Sequence, residues 1–271
     1  MVGCKSPLWA LALFALLISI LQRTPPVAAQ AAAVDWSASV APGSCAGGDR
    51  QGESWWPDRL VGHRCGLTIE PVYYGEVFSN TRGGLSTNDA TRYQALLDLG
   101  IEFDLAEMHT PLPGRFYVLA QNTHGRGITT DFVGDTQVVS NIDSFKNITR
   151  VSEYWWEFVC LDDAVTVRLG KQDVNTEFFV IGLAGDFIQS TFGLSPSTAF
   201  PTYPDPSMAA VALVQVADSW RIKAGIWDAF APGGGWGFSG NDSIVAIGEL
   251  ERTCALAGGT LPGVFAVGAV Y

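Results

Sequence analysis

The chain is long enough for one large domain and is markedly acidic. It has 271 residues, of which 27 are Asp or Glu and 16 are Lys or Arg, so its formal charge at pH 7 is −11. Nucleic-acid binding needs clustered positive charge, so no nucleic-acid partner is predicted. The histidines are few and scattered and the cysteines fit no zinc spacing, so neither a metal site nor a cofactor is expected.

The first 29 residues have the pattern of a secretory signal peptide. Lys5 supplies the positive charge, Leu8 to Leu21 the apolar core, and Val27 to Ala29 the small-residue cleavage site. The apolar core is shorter than the roughly 20 residues of a membrane-spanning helix, and no longer apolar run follows. The exported chain is therefore predicted to be either a soluble protein outside the cytoplasm or a membrane β-barrel.

Residues 30–67 form a segment rich in Ala, Gly and Ser that shows neither a helix period nor a strand period. Cys45 and Cys65 flank part of it, and in an oxidising compartment they could form a disulfide. The sequence does not show whether this pair or the pair Cys160 and Cys254 forms a disulfide.

From residue 68 to residue 271 the sequence predicts one strand after another. The clearest runs from Tyr93 to Leu105, where apolar residues alternate with polar ones over thirteen positions. About nine strands are predicted, including Arg115 to His124, Thr149 to Cys160, Val165 to Gln172, Ala209 to Asp218, Trp220 to Asp228, Ser243 to Thr253 and Gly263 to Tyr271.

The segment from Val165 to Gln172 shows how the two strand faces differ. Val165, Val167 and Leu169 fall on one face, and Thr166, Arg168 and Gly170 on the other, because side chains in a strand repeat with period two. Short turns alternate with longer loops along the chain, including a long irregular insertion from residue 183 to residue 207. With an export signal, this asymmetry favours a membrane barrel with a wet interior.

Several segments, taken in order, resemble the bacterial carbohydrate-selective porins of the OprB type. They are YYGEVFSNTRGG, RVSEYWWEFV, RLGKQDVNTEFF, FPTYPDPS, AGIWDAF and LPGVFAVGAVY, spread between Pro71 and Tyr271. The resemblance implies an all-β, antiparallel, up-and-down transmembrane barrel of about sixteen strands in the outer membrane. It also implies passive, selective diffusion of sugars such as glucose, contact with outer-membrane lipid and no catalysis, and it leaves open whether copies form a homo-oligomer.

About nine strands are fewer than that barrel has, so the chain is expected to hold only its amino-terminal part, since an open sheet edge cannot face lipid. A small closed barrel is the alternative. It is favoured by the final alternation Phe265, Val267, Ala269, Tyr271, which resembles an outer-membrane assembly signal.

Polar residues on the predicted inward faces are the candidate pore lining. A neutral sugar is selected by hydrogen bonds to its hydroxyls and by aromatic contacts, and charged side chains are strong donors and acceptors. Trp155, Trp156 and Trp220 are expected at the membrane boundary instead. The candidates are Glu102, Glu153, Arg168, Lys171, Asp173, Glu177, Arg221, Lys223 and Trp227.

The alternative to a sugar channel is a secreted, soluble β-sandwich that binds carbohydrate or hydrolyses it. Acid pairs such as Glu153 and Glu157 do not favour hydrolysis, because residues four apart on one strand lie about 13 Å apart, beyond the carboxylate spacing of glycosidases.

Overall fold

The described part of the chain forms one antiparallel sheet in a computed structural model. It comprises residues 30–32, 62–64, 66–181, 187–189, 200–229 and 243–271, with side chains described from residue 66 onward. The predicted signal peptide, Cys45 and Cys65 lie outside the described residues. The strands are β1 Gln30–Ala32, β2 Gly62–Arg64, β3 Leu67–Ser79, β4 Thr91–Asp104, β5 Arg115–Gly125, β6 Ile148–Cys160, β7 Val165–Gln172, β8 Ser207–Ala217, β9 Trp220–Asp228, β10 Ile244–Leu256 and β11 Leu261–Val270.

Each long strand pairs with its neighbours in the sequence, which is up-and-down topology. The order is β1-β11-β10-β9-β8-β7-β6-β5-β4-β3-β2, and every pairing is antiparallel. Within the described ranges no pairing joins β1 to β2, so the sheet is open there. The predicted all-β architecture and its nine long strands, β3 to β11, are confirmed.

The segment 30–67 differs from the sequence prediction. It contributes β1 and β2, each of three residues, which is too short for a strand period to show. All described strands belong to a single sheet, whereas a β-sandwich needs two packed sheets, so the soluble-sandwich alternative does not describe this part of the chain.

Helical structure is limited to short turns in the described ranges. These are Thr129–Val133, Val174–Thr176 and Ala257–Gly259. None of the helices in the described part is long and apolar enough to cross a membrane.

The connections differ between the two ends of the strands. At one end, which we call the short-turn end, they are residues 105–114, 161–164, 218–219 and 257–260. At the other, the long-loop end, they are residues 80–90, 126–147, 173–206 and 229–243. This asymmetry matches the sequence prediction, and in bacterial membrane barrels the longer loops are extracellular.

The strand register defines an inner and an outer face. Directly opposed residues of an antiparallel pair share a face. Arg168 lies opposite Glu157, which lies opposite Arg115, and Lys223 lies opposite Glu249, so these residues share the face that we call inner. Val165, Val167 and Leu169 fall on the outer face, as predicted.

Strands β6 and β7 each contain one departure from regular strand geometry. The register of β5 against β6 shifts next to Ser152, because Leu119 is opposite Glu153 whereas Ala120 is opposite Val151. In β7, Gly170 has φ 138°, and a Cβ there would collide with the carbonyl oxygen of Tyr154. Only glycine allows the strands to approach each other closely with this backbone conformation.

Part of the inner face is apolar, which the sequence analysis did not predict. The residues after β7, 173–181, fold back over the sheet, and we call them the inner segment. Its Val174 and Phe178 are buried against Val211, Trp227 and Ile247 from β8, β9 and β10. The sheet therefore carries a small core on the side where a barrel of this type encloses its lumen.

Candidate functional site

Five charged side chains form a continuous row of ion pairs on the inner face. We call this row the inner ladder: Glu102, Arg115, Glu157, Arg168 and Glu177. Arg115 bridges the first two carboxylates, with Nη1 2.9 Å from Glu102 Oε2 and Nη2 2.9 Å from Glu157 Oε1. Arg168 bridges the next two, with Nη2 2.6 Å from Glu157 Oε2 and 2.9 Å from Glu177 Oε1.

Glu157 is the centre of the inner ladder, since each of its two oxygens is held by a different arginine. Four of the five residues come from neighbouring strands β4 to β7, and the fifth, Glu177, comes from the inner segment. Charge-assisted bonds to a planar guanidinium fix both distance and direction. The inner ladder therefore presents donors and acceptors at fixed positions along the wall.

Trp155 supports the two arginines from within the same face. The guanidinium carbons of Arg115 and Arg168 lie 5.3 and 4.6 Å from its ring, and Tyr117 stacks on it at 4.9 Å between ring centroids. Trp155 is 8% exposed, so the prediction of a boundary position for this residue is wrong. It shares the inner face because its cross-strand partner is Tyr117, which is opposite Glu102 on β4.

A second group of charges surrounds Lys223 on β9. Its Nζ lies 3.1 Å from Glu249 Oε1, forms an ion pair with Glu251 and donates to the backbone oxygen of Glu177 at 3.0 Å. The same ammonium lies 5.9 Å from the ring centre of Phe178. Lys223 therefore binds the inner segment to the wall formed by β9 and β10.

The predicted lining residues fall into distinct environments. Arg168, Glu177 and Glu102 belong to the inner ladder, and Lys223 belongs to the adjoining group. Arg221 lies nearer the short-turn end, where its Nε donates to Gln215 Oε1 at 3.2 Å.

Asp173 is the first residue of the inner segment, and Glu153 and Lys171 come from the neighbouring strands β6 and β7. Glu153 and Lys171 are buried, and a Glu153 oxygen accepts the backbone N–H of Asp173 at 3.3 Å. The Asp173 carboxylate accepts the backbone N–H groups of Asn175 and Tyr203, each at 2.7 Å. Asp173 therefore fastens two loop segments together, which is a structural contribution that its position in the sequence did not reveal.

Tyr203 connects the loop 173–206 to the loop between β5 and β6. Its hydroxyl donates to the backbone oxygen of Ile142 at 2.7 Å. Burial raises the pKa of Tyr203 to about 12, further above neutral pH than that of an ordinary tyrosine. The long loops are thereby tied to one another above the inner face.

Trp227 lies on the inner face, as the alternation predicted, but its ring is covered. It is 1% exposed and meets Phe178 edge-on, with 5.5 Å between ring centroids. In this arrangement the ring packs under the inner segment and offers no surface to a solute.

Arg115, Glu249 and Glu251 were not predicted as members of the site, and Glu157 was predicted to lie on an inward face but was not among the lining candidates. Each lies on a strand whose position was predicted, so the type of element was not the obstacle. Their importance depends on which residue lies opposite on the next strand, and Arg115 and Glu157 are 42 positions apart in the sequence.

Of the two disulfides that the sequence left open, the one between Cys160 and Cys254 is not formed.

An up-and-down antiparallel sheet with long loops at one end, ion pairs inside and an aliphatic outer face has the architecture of an outer-membrane porin. The chain belongs to the OprB family of carbohydrate-selective porins, because residues 88–271 match that family. Proteins of this family and fold are channels of the outer membrane of Gram-negative bacteria, where this chain is accordingly placed.

Two solved structures of OprB from Pseudomonas putida are similar to the chain. The high-pH structure has a TM-score of 0.64 and 20% sequence identity, and the match covers 75% of this chain and 51% of that one. The low-pH structure has a TM-score of 0.44 and 16% identity, with 76% and 55% covered. The chain thus spans about half the length of these solved relatives. No curated protein matches the sequence.

Proposed function

We propose that the chain forms the wall of a channel through which sugars, glucose among them, diffuse passively across the outer membrane. The observation that carries this proposal is the inner ladder, a row of fixed donors and acceptors along the inner face. A sugar hydroxyl both donates and accepts, so a wall that alternates guanidinium and carboxylate groups suits it at successive positions.

The proposed lining consists of the inner ladder and Arg221. Glu102 and Arg115 are the most exposed members of the ladder, whereas the side chains of Arg168 and Glu177 are mostly buried next to the inner segment. Glu153, Asp173, Lys223 and Trp227 act on the solute indirectly, by holding the inner segment and its neighbours in place. Lys171 is buried opposite Tyr154 and Met208 and is not part of the proposed lining.

The charge on this wall favours neutral solutes over anions. The inner ladder and the Lys223 group together contain five carboxylates and three cations. A surplus of negative charge in a confined space repels an anion more strongly than it would in bulk water, because screening is weaker there. Glucose is thus expected to pass more readily than glucose 6-phosphate.

The domain organisation proposed with this function has three parts. Residues 1–29 are an export signal, residues 30–67 an amino-terminal segment and residues 68–271 the porin-like region. The mass of the exported protein tests the first boundary, because removal of residues 1–29 fixes the mass of what remains.

Uptake by intact cells tests the proposed function. The described sheet is open between β1 and β2, so we propose that copies of the chain combine to complete the channel. Gram-negative cells that lack their own sugar porins are made to express the full chain, and entry of labelled glucose and of labelled glucose 6-phosphate is measured at low external concentration. We expect faster glucose entry, little change for the phosphate ester, and a loss of the glucose effect in Arg168→Ala. Arg82→Ala, in the exposed loop 80–90, is the matched control and should behave as the wild type. Glucose entry no faster than in cells without the protein would reject the proposal.

A further inference from the structure

A chain of hydrogen-bonded polar side chains crosses four strands on the outer face at the long-loop end. Tyr73 Oη lies 2.5 Å from Tyr93 Oη and 3.0 Å from His124 Nε2. His124 Nδ1 lies 2.9 Å from Asn122 Oδ1, and Asn122 Nδ2 donates to Thr149 Oγ1 at 2.6 Å. We call these five residues the outer polar chain. With a neutral imidazole protonated at Nδ1, every link has one donor and one acceptor.

The outer polar chain lies on the half of the outer face that is nearer the long loops. Tyr73 and Tyr93 are about half exposed and lie on the face opposite to the inner ladder, so a sugar in the lumen does not reach them. Hydroxyls and ring nitrogens are costly in the hydrocarbon and favourable at its boundary. Because the longer loops of such barrels are extracellular, this boundary belongs to the outer leaflet.

Two cations lie in the loop between β5 and β6, close in sequence to the strand ends that carry His124 and Thr149. Arg126 is fixed beside the outer polar chain, since its backbone N–H donates to the oxygen of Tyr93 at 2.8 Å. Lys146 is exposed, and its backbone oxygen accepts from Thr123 and Ser144, which ties it to the end of β5.

A small cavity joins these groups. His124, Arg126 and Lys146 line a cavity of about 50 Å³, together with the buried Asp143. Such a volume holds a few water-sized groups. Arg126 pairs with Asp131 at 2.8 Å, and its side chain is 69% exposed. An exposed pair of this kind is worth little, so the guanidinium can exchange one anion for another.

We infer that this rim binds a phosphate-bearing headgroup of an outer-leaflet lipid. Arg126 and Lys146 contact the phosphate, and the outer polar chain contacts hydroxyls of the headgroup. Guanidinium and ammonium groups are the standard ligands of phosphate, and polar aromatic residues favour the interface on which a headgroup lies. The inference rests on the outer-membrane placement and not on the passage of sugar.

Lipid binding by the purified full chain tests this inference. Diphosphoryl lipid A, monophosphoryl lipid A and a glycolipid without phosphate are titrated into the chain in detergent, and bound lipid is counted by native mass spectrometry. The variants are the double change Arg126→Gln with Lys146→Gln, and Arg252→Gln as the matched control. Arg252 lies on the same face but at the short-turn end, over the ring of Trp220.

We expect diphosphoryl lipid A to bind about fivefold more weakly for each cation removed, hence roughly 25-fold more weakly to the double variant, and Arg252→Gln to match the wild type. Heat-dependent migration on a gel confirms that each variant is folded. Equal binding by the double variant and the wild type, an equal loss in Arg252→Gln, or binding that ignores phosphate would each overturn the inference. None of these outcomes depends on sugar uptake, so the two proposals fail separately.

Discussion

Glu157 connects the two arginines of the inner ladder. It is 12% exposed and holds Arg115 with one oxygen and Arg168 with the other. A half-buried cation that loses its carboxylate keeps its desolvation cost without the compensating attraction. The stability of the wall should therefore depend on this residue much more than on the outlying members of the ladder.

Glu157→Gln is expected to lower the free energy of unfolding by about 3 kcal/mol, because two arginines lose their shared charge partner. Glu102→Gln is the control, since its side chain is 34% exposed and it pairs with one arginine, and its effect should stay below about 1 kcal/mol. Urea unfolding in detergent micelles, followed by tryptophan fluorescence, measures both. Similar losses in the two variants would show that Glu157 has no special place in the ladder.

Among the structural elements, the inner segment differs most from what the strand pattern predicts. Its residues have no strand period, and its position depends on contacts with Val211, Trp227 and Ile247, which come from three different strands. Phe178 covers Trp227, and Lys223 holds the backbone of Glu177. The inner segment is therefore held in place by a small apolar core and by the bond from the Lys223 ammonium to its backbone.

Phe178→Ala is expected to loosen the inner segment, because removing a buried phenyl ring costs about 3 to 5 kcal/mol. Trp227 should then become accessible, and acrylamide should quench a larger share of the tryptophan fluorescence. Phe145→Ala removes the same ring from an exposed loop position and should leave the quenching unchanged. Unchanged quenching in Phe178→Ala would mean that something else covers Trp227.

At the scale of the whole molecule, the outer face carries an apolar band about as tall as that of known membrane barrels. On β4, Tyr93 lies at the long-loop end and Phe103 at the short-turn end, with Leu97, Leu99 and Ile101 between them on the same face. The ten residue steps from Tyr93 to Phe103 extend about 34 Å along a strand. At a strand tilt near 45° they cover about 24 Å along the membrane normal. Membrane barrels have an apolar band of about 25 Å between their aromatic girdles.

The sequence predicted the strands but not their cross-strand contacts, and the reason is physical. Alternation is a local property, so β4 and β7 were located within two residues of their ends and their faces assigned correctly. Partner choice depends on register across long separations, so the pairing of Arg115 with Glu157 was not visible. Trp155 was misplaced for a different reason. The alternation puts it on the same face as Glu153 and Glu157, but it was assigned to the membrane boundary because tryptophan favours that position. Its contacts with Tyr117 and Arg168 show that it packs against the inner face instead.

The central claim is that the outer face contacts lipid while the inner face contacts water, and cysteine labelling in membranes tests it most directly. Leu97→Cys and Val267→Cys probe the outer face and Tyr74→Cys the inner face, each in a full chain whose native cysteines are replaced by serine; all three positions are exposed. We predict that the two outer positions react only with a lipid-soluble maleimide and that position 74 reacts with a sulfonated, water-soluble one. Equally fast reaction of all three positions with the water-soluble reagent would contradict the account.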